Sequence, residues 1–247
     1  MMKSILKKIP QVNKLIKNMD NLHVRTEWVE RELAALPNGS KLLDAGCGNQ
    51  QFRKFCNHLD YFAQDFGGYV GDLKERIGGA KYRSADDNPY IYGNLDFVGD
   101  IWSIDEGDGV FDVILCTEVL EHIPFPNETI LEFSRLLKPG GKLLLTAPSN
   151  CLRHYDPYFF YTGFSDRWFE RILSDNAFVI DSLEPIGDYY SWMSVEMMRT
   201  AKAHGLFGKL AVASAFLYFY TRPKNELSVN TLCMGYHIAA TKKITQT

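Results

Sequence analysis

The stretch Lys41-Leu-Leu-Asp-Ala-Gly-Cys-Gly-Asn49 constrains what this chain can fold into more than any other. A short apolar run ends in an acid and passes into a turn with two glycines, after which residues 50–56 can form a helix. Such a run suits a buried strand, and glycine permits the close turn that follows. At the carboxyl edge of a sheet, a turn of this kind leads backbone N–H groups towards a ligand. The same turn also serves packing alone, so the rest of the chain has to decide between the two.

The following segments repeat the pattern. Residues 61–64 read as a second short strand, ending at Asp65. That acid lies about twenty residues beyond the turn, where a nucleotide-binding fold puts a carboxylate for ribose hydroxyls; an exposed loop acid is the alternative. Residues 67–94 carry scattered glycines and tyrosines and read as an irregular excursion. Strand character returns at 95–98 and, rich in branched residues, at 111–116. Asn127 is placed to cap a helix bearing Ile130, Phe133, Leu136 and Leu137, and Lys138-Pro-Gly-Gly141 then reads as its stop. A strand at 142–146 completes a βαβ unit, and repetition of such units predicts a parallel sheet covered by helices.

The flanks are less regular. A helix is expected over 26–36, with Trp28, Val29, Leu33 and Leu36 on one side. Before it, residues 1–20 interleave Lys3, Lys7, Lys8, Lys14 and Lys17 with apolar residues at helical spacing. That pattern suits an amphipathic helix, packed over the domain or lying on an anionic membrane. Residues 149–164 form a loop dense in aromatics around His154. Ser165 caps a further helix, 178–183 reads as a strand, 190–204 and 206–220 as helices, and 233–241 as the last strand. The 206–220 segment is almost wholly apolar yet short for a membrane span, so it is a buried helix, a dimer face or a membrane-contact patch.

Composition narrows the function classes. A formal charge of −3 gives no basic field, so no nucleic-acid partner is expected. Five cysteines without a C-x-x-C pair fit reduced thiols in a cytoplasmic compartment. No zinc-ligand spacing occurs among Cys and His, so no metal is expected. The first residues lack the apolar core of a secretory signal peptide.

Asp-Ala-Gly-Cys-Gly48, the acid Asp65, Gly99-Asp100-Ile101, Phe111-Asp-Val-Ile-Leu-Cys-Thr-Glu-Val-Leu-Glu-His122 and Leu-Lys-Pro-Gly-Gly-Lys142 occur in that order. This set resembles the class I S-adenosylmethionine-dependent methyltransferases over residues 41–148, more weakly to the last strand. The nearest flavour is the type 11 bacterial group often found with surface-polysaccharide genes, whose last loop also carries a His and an aromatic-rich segment. The resemblance implies an α/β, Rossmann-like doubly wound, mostly parallel seven-stranded sheet. Helices would cover both faces, with further helices at the two ends. Residues 1–40 would be an N-terminal helical cap and 41–247 the methyltransferase domain, with a helical insertion at 189–222 before the last strand.

By the same resemblance S-adenosyl-L-methionine is the cofactor. Gly46, Cys47 and Gly48 would wrap its methionine part, with Asp44 holding the turn or the amino group. Asp65 would take the ribose hydroxyls, Asp100 the adenine amino group, and Ile101 would cover the ring. Thr117 and Glu118 would sit under the sulfonium. Asn49 and Gln50 stand where the family usually has another small residue.

Methyl transfer needs chiefly placement of an acceptor about 3–3.5 Å from the methyl, plus a base if the acceptor is a hydroxyl or protonated amine. His122 and His154 are the candidate bases, against a purely structural role. The acceptor expected is a small molecule or glycan precursor, methylated at oxygen. The alternatives are a lipid or quinone acceptor reached from the inner membrane face, or a non-catalytic module on the same fold. Peripheral membrane contact and a homodimer are the open partner options. A dinucleotide oxidoreductase is disfavoured, because Gln51 stands where G-x-G-x-x-G requires its third glycine.

Overall fold

A computed structural model of the protein describes residues 21–68 and 92–244. The basic helix expected over 1–20, and all but the ends of the excursion expected over 67–94, lie outside these residues.

Seven strands form one sheet: β1 (Lys41–Ala45), β2 (Asp60–Asp65), β3 (Phe97–Val98), β4 (Phe111–Thr117), β5 (Leu137–Pro148), β6 (Phe178–Ile186) and β7 (Gly235–Lys242). Their order is β3-β2-β1-β4-β5-β7-β6, and β7 alone among them runs antiparallel to both neighbours. The order reverses between β1 and β4, which opens a crevice beyond the carboxyl ends of these two strands. The expected Rossmann-like, mostly parallel seven-stranded sheet is therefore the fold observed.

Alternate side chains of the buried strands feed two cores, because a strand's side chains point to opposite faces. Leu42, Val113, Leu115, Leu144 and Ala239 meet Trp28, Val29 and Leu33 of α1 (Asn21–Ala34). Leu43, Ile114, Leu143, Leu145 and Ile238 meet Ile130 and Phe133 of α2 (Pro126–Leu136) and Phe169 and Leu173 of α3 (Asp166–Asp175). Ser165 caps α3 as expected, its side chain accepting from the Trp168 N–H.

Several local expectations are corrected. Residues 50–56 form a 3-10 turn at Arg53–Phe55 and not a longer helix, since Gln50 takes the left-handed region at φ 56. The Gln50 amide instead donates to the Asn94 carbonyl at 2.7 Å. Phe125, not Asn127, is the N-cap of α2, and Pro126 takes the first helical position, where its missing N–H costs nothing. Lys138–Gly141 does not separate helix from strand: β5 starts at Leu137, and the segment is a bulge where its register with β4 jumps between Phe111 and Val113.

After β6 come α4 (Tyr189–Ala203) and α5 (Gly205–Tyr220), packed against each other, then a short α6 (Glu226–Thr231) that the sequence pattern did not suggest. Asp188 joins the group, accepting from the Ser191 N–H at 2.9 Å and the Ser228 hydroxyl at 2.6 Å. α5 is not a buried helix. Leu206, Phe207, Leu210 and Leu217 are each more than 60% exposed.

Candidate active site

A cleft of about 930 Å³ opens beyond the carboxyl ends of β1, β2 and β4. The β1 turn, Asp65, the segment after β3, the end of β4, the loop at 149–164 and one face of α4 all contribute to its walls.

Asp65 organises the cofactor side. Its Oδ2 accepts from the Gly48 N–H at 3.0 Å and its Oδ1 from the Gly67 N–H at 3.2 Å, so one carboxylate ties the β1 turn to the end of β2. Burial pushes its pKa above the ordinary carboxylate value, against the pull of these bonds. The Phe66 N–H and the Tyr92 side chain also bond to it, so about four donors already meet the carboxylate and a ligand's hydroxyls would take the place of one of them. Gly46 and Cys47 donate to the Gln64 carbonyl, each at 2.9 Å. The turn's N–H groups are thus spent on β2, and its contribution to the cleft is shape. Glycine is required there: at φ 70, a Cβ on Gly46 would lie 2.5 Å from a methyl of Val119, itself a wall of the cleft.

Gly46, Cys47, Gly48, Asp65, Asp100, Ile101, Thr117 and Glu118, the residues the family resemblance assigns to the cofactor, all line the cleft. Asp44 does not. It is buried below the turn, where the Tyr61 hydroxyl donates to its Oδ2 at 2.6 Å, so it neither holds the turn nor reaches the cleft. Burial, with Asp65 nearby, raises its pKa to about 7 despite the Tyr61 bond. Asp100 stands exposed on the rim, while Ile101 is buried at the cleft floor. This donor set fits an adenosine-bearing ligand, with a carboxylate for the ribose and one at the rim for the adenine amino group. Ile101 adds an apolar side chain to the same cleft.

The far side is polar and crowded. Glu118 sits at φ 54, a strained region for a side-chain-bearing residue, and is held there on both sides. Its N–H donates to the Thr146 carbonyl at 2.9 Å, and its carboxylate accepts from the Thr146 hydroxyl at 3.0 Å and pairs with Arg25 of α1 at 3.1 Å. Glu121 is buried next to it, and burial plus the Glu118 charge raises its pKa to about 8. His122 lies 2.6 Å through Nδ1 from the Tyr158 carbonyl, and burial lowers its pKa to about 4. It is therefore neutral at physiological pH. The His154 ring packs edge-on against His122, with centroids 4.7 Å apart.

The structure thus brings both predicted histidines to one place, 32 residues apart in sequence. The aromatic loop divides: Tyr155, Tyr158 and Phe160 line the cleft, whereas Tyr161 packs on Phe164 of the core. Sequence reasoning missed Arg25, Gln64 and Glu121, as well as Trp192, Glu196 and Arg199 of α4. The α4 residues recur at helical spacing, but nothing in the sequence says which face of that helix meets the cleft.

The sheet order, the crevice at the β1–β4 reversal and this donor set are those of the class I S-adenosylmethionine-dependent methyltransferases. A family model described as a methyltransferase domain matches residues 17–198, and the chain belongs to that family, whose cofactor is S-adenosylmethionine. Among curated proteins, it is 32% identical over 126 residues to the ubiquinone biosynthesis O-methyltransferase of Xanthomonas axonopodis pv. citri, covering 50% of this chain and 48% of that one. The corresponding Dechloromonas aromatica protein is 28% identical over 125 residues. The match spans about half the length of these relatives.

Among solved structures, phosphoethanolamine N-methyltransferase 2 of Haemonchus contortus, in complex with S-adenosyl-L-methionine, aligns at TM-score 0.53 and 16% identity over 89% of this chain and 52% of that one. The cyclase SpnF aligns at 0.52 and 19% identity over 90% and 80%. At such identities the likeness concerns the fold.

Two substitutions test the two carboxylates. Asp100→Ala should weaken S-adenosylmethionine binding about tenfold in calorimetry without changing stability, because its side chain is exposed. Unchanged affinity would remove it from the site. Asp44 ionises more readily in the unfolded chain, near 3.8, than in the fold, at about 7. Its contribution to stability therefore falls as pH rises between those values and levels off above them. Asp44→Asn, followed by urea unfolding of the cofactor-free protein, should gain on wild type by roughly 2 kcal/mol between about pH 5.5 and about pH 8. A difference independent of pH would contradict the buried, proton-holding carboxyl.

Proposed function

We propose that the protein transfers a methyl group from S-adenosylmethionine to an oxygen of a small-molecule acceptor bound between the end of β4 and the 149–164 loop. The observation that carries this reading is the convergence of Glu121, His122 and His154 in the same cleft as Asp65 and Asp100. The bound cofactor supplies an already activated methyl. The protein's residues position both partners and deal with the acceptor's proton. Asp65 and Asp100 would fix the adenosine end, so that the sulfonium faces Thr117 and Glu118. Tyr155, Tyr158 and Phe160 offer flat faces on which a phenolic ring or a sugar can pack, which leaves a glycan precursor within the acceptor class. Glu121, His122 and His154 would surround the acceptor oxygen. The name of the Xanthomonas relative, an O-methyltransferase, supports oxygen as the acceptor atom.

His154→Ala should lower turnover by about 10²–10⁴ while leaving S-adenosylmethionine affinity intact. The check is a methyl-transfer assay over phenols, sugars and small hydroxy acids, paired with calorimetry; an unaltered rate would take His154 out of the reaction.

A second reading, a lipid-soluble acceptor reached from a bilayer, is favoured by α5. Its outer face presents Leu206, Phe207, Leu210, Leu217 and Tyr218 to solvent, and the helix is too short to cross a membrane. Between residues 205 and 225 the sequence has Lys209, Arg222 and Lys224 and no acid, in a chain of net charge −3. Self-association through this face would set cations against their copies, whereas an anionic lipid surface complements both features. The protein should co-sediment with phosphatidylglycerol vesicles at low salt, and Phe207→Glu with Leu210→Glu should cut the bound fraction at least about tenfold. Absence of sedimentation would end the idea, and a dimer abolished by the same substitutions would assign the face to self-association.

A further inference from the structure

We infer that Glu121, His122 and His154 form a binding site for a divalent transition-metal ion at the acceptor end of the cleft. One ligand atom from each lies within 4.8 Å of the other two.

Both histidines are turned for this. A backbone carbonyl only accepts, so the Tyr158 carbonyl, 2.6 Å from His122 Nδ1, fixes the ring proton on that nitrogen. The Leu152 carbonyl, 2.8 Å from His154 Nδ1, does the same for the second ring. Each Nε2 is left with a bare lone pair. Metal-bound histidines are held in just this way, the second nitrogen donating to a carbonyl or carboxylate. The third group is a carboxylate with unmet demand: Glu121 is 1% exposed, and its Oε2 is buried without a hydrogen-bond partner. Its Oε1 stands 3.6 Å from His122 Nε2, too far for a good hydrogen bond. A buried carboxyl with one oxygen unsatisfied and the other beside an imidazole lone pair is costly, and a cation that displaces the carboxyl's proton gives all three groups a partner.

The backbone around the cluster is built to hold it. The Glu121 carbonyl accepts from the Phe160 N–H at 2.9 Å and the Tyr161 N–H at 3.2 Å, which fastens the loop carrying His154 to the turn carrying Glu121 and His122. Ligand bonds of about 2.0–2.2 Å require the three atoms to draw closer than they stand. His154, on the more exposed loop, is the member free to move inward. Two imidazoles and one carboxylate suit Co²⁺, Zn²⁺, Mn²⁺ or Fe²⁺ better than Mg²⁺ or Ca²⁺, which prefer all-oxygen sites. Three protein ligands leave further positions open. Sequence spacing could not reveal the site, because its third member arrives from another loop.

The chemistry of this ion rests on the oxygen-acceptor reading above; its binding does not. An acceptor hydroxyl taking an open position would lose its proton to solvent, the ion having lowered its pKa. An oxygen lone pair then forms the C–O bond while the S–CH₃ bond breaks, its electron pair staying on the sulfur.

The test uses the full chain, stripped with chelator, free of S-adenosylmethionine and titrated with Co²⁺ alone, read by visible absorption and calorimetry. Saturation at one equivalent is expected, with Mg²⁺ much weaker. His154→Ala and Glu121→Gln should each lower affinity at least about tenfold, while His204→Ala, on the α4–α5 corner, should bind as wild type. Should Glu121→Gln fail to fold, His154→Ala decides, since its loop is not part of the core. Absence of saturable binding, Mg²⁺ binding as tight as Co²⁺, or His154→Ala binding as tightly as wild type would overturn the inference. S-adenosylmethionine titrated in parallel separates the outcomes: cofactor binding without metal binding defeats this site alone.

Discussion

The Asp65 carboxylate is the tie on which the rest of the site depends. Its two oxygens take the Gly48 and Gly67 N–H groups, one from the turn after β1 and one from the end of β2. Without that link the turn would have no reason to stand open over the sheet edge, since Gly46 and Cys47 are held only by the neighbouring Gln64. Keeping an acid buried there costs solvation, which is why its pKa is raised. The backbone donors and the Tyr92 side chain offset part of that cost and hold the carboxylate in one orientation at the sheet edge.

The acceptor side is built from different material. β4 ends at Thr117, the next residue is forced to positive φ, and Arg25 and Thr146 hold its carboxylate in place. The 3-10 turn Leu120–His122 then grips the 149–164 loop through the Glu121 carbonyl and the His122 ring. One half of the cleft is thus fixed by strand ends, the other by a turn fastened to a loop. This division matches a family in which the cofactor is constant and the acceptor varies.

How much of this was legible in the sequence follows the range of each signal. The strands at Lys41–Ala45 and Phe111–Thr117 announce themselves because burial on both faces demands unbroken apolar runs. Spacing points to Asp65 at the end of β2 and the family resemblance to Asp100 after β3, and both line the cleft. Asp44 was misassigned because sequence shows that an acid ends β1, not which way its side chain turns. The reading of Lys138-Pro-Gly-Gly141 as a stop followed residue type, whereas pairing with β4 begins at Leu137 and makes the same residues a bulge. Gln50 broke the expected helix because its side chain finds a better partner in the Asn94 carbonyl, 44 residues away. Arg25 and the meeting of Glu121 with His154 are products of tertiary packing, and no local period encodes them.

The cleft beyond β1, β2 and β4 is thus read as an S-adenosylmethionine site and not a dinucleotide site. Calorimetric titration of the full chain with S-adenosylmethionine and, separately, with NAD tests it most directly. Saturable binding of one S-adenosylmethionine per chain and none of NAD is expected. Saturable NAD binding, or no saturable binding of S-adenosylmethionine up to millimolar concentration, would contradict that reading.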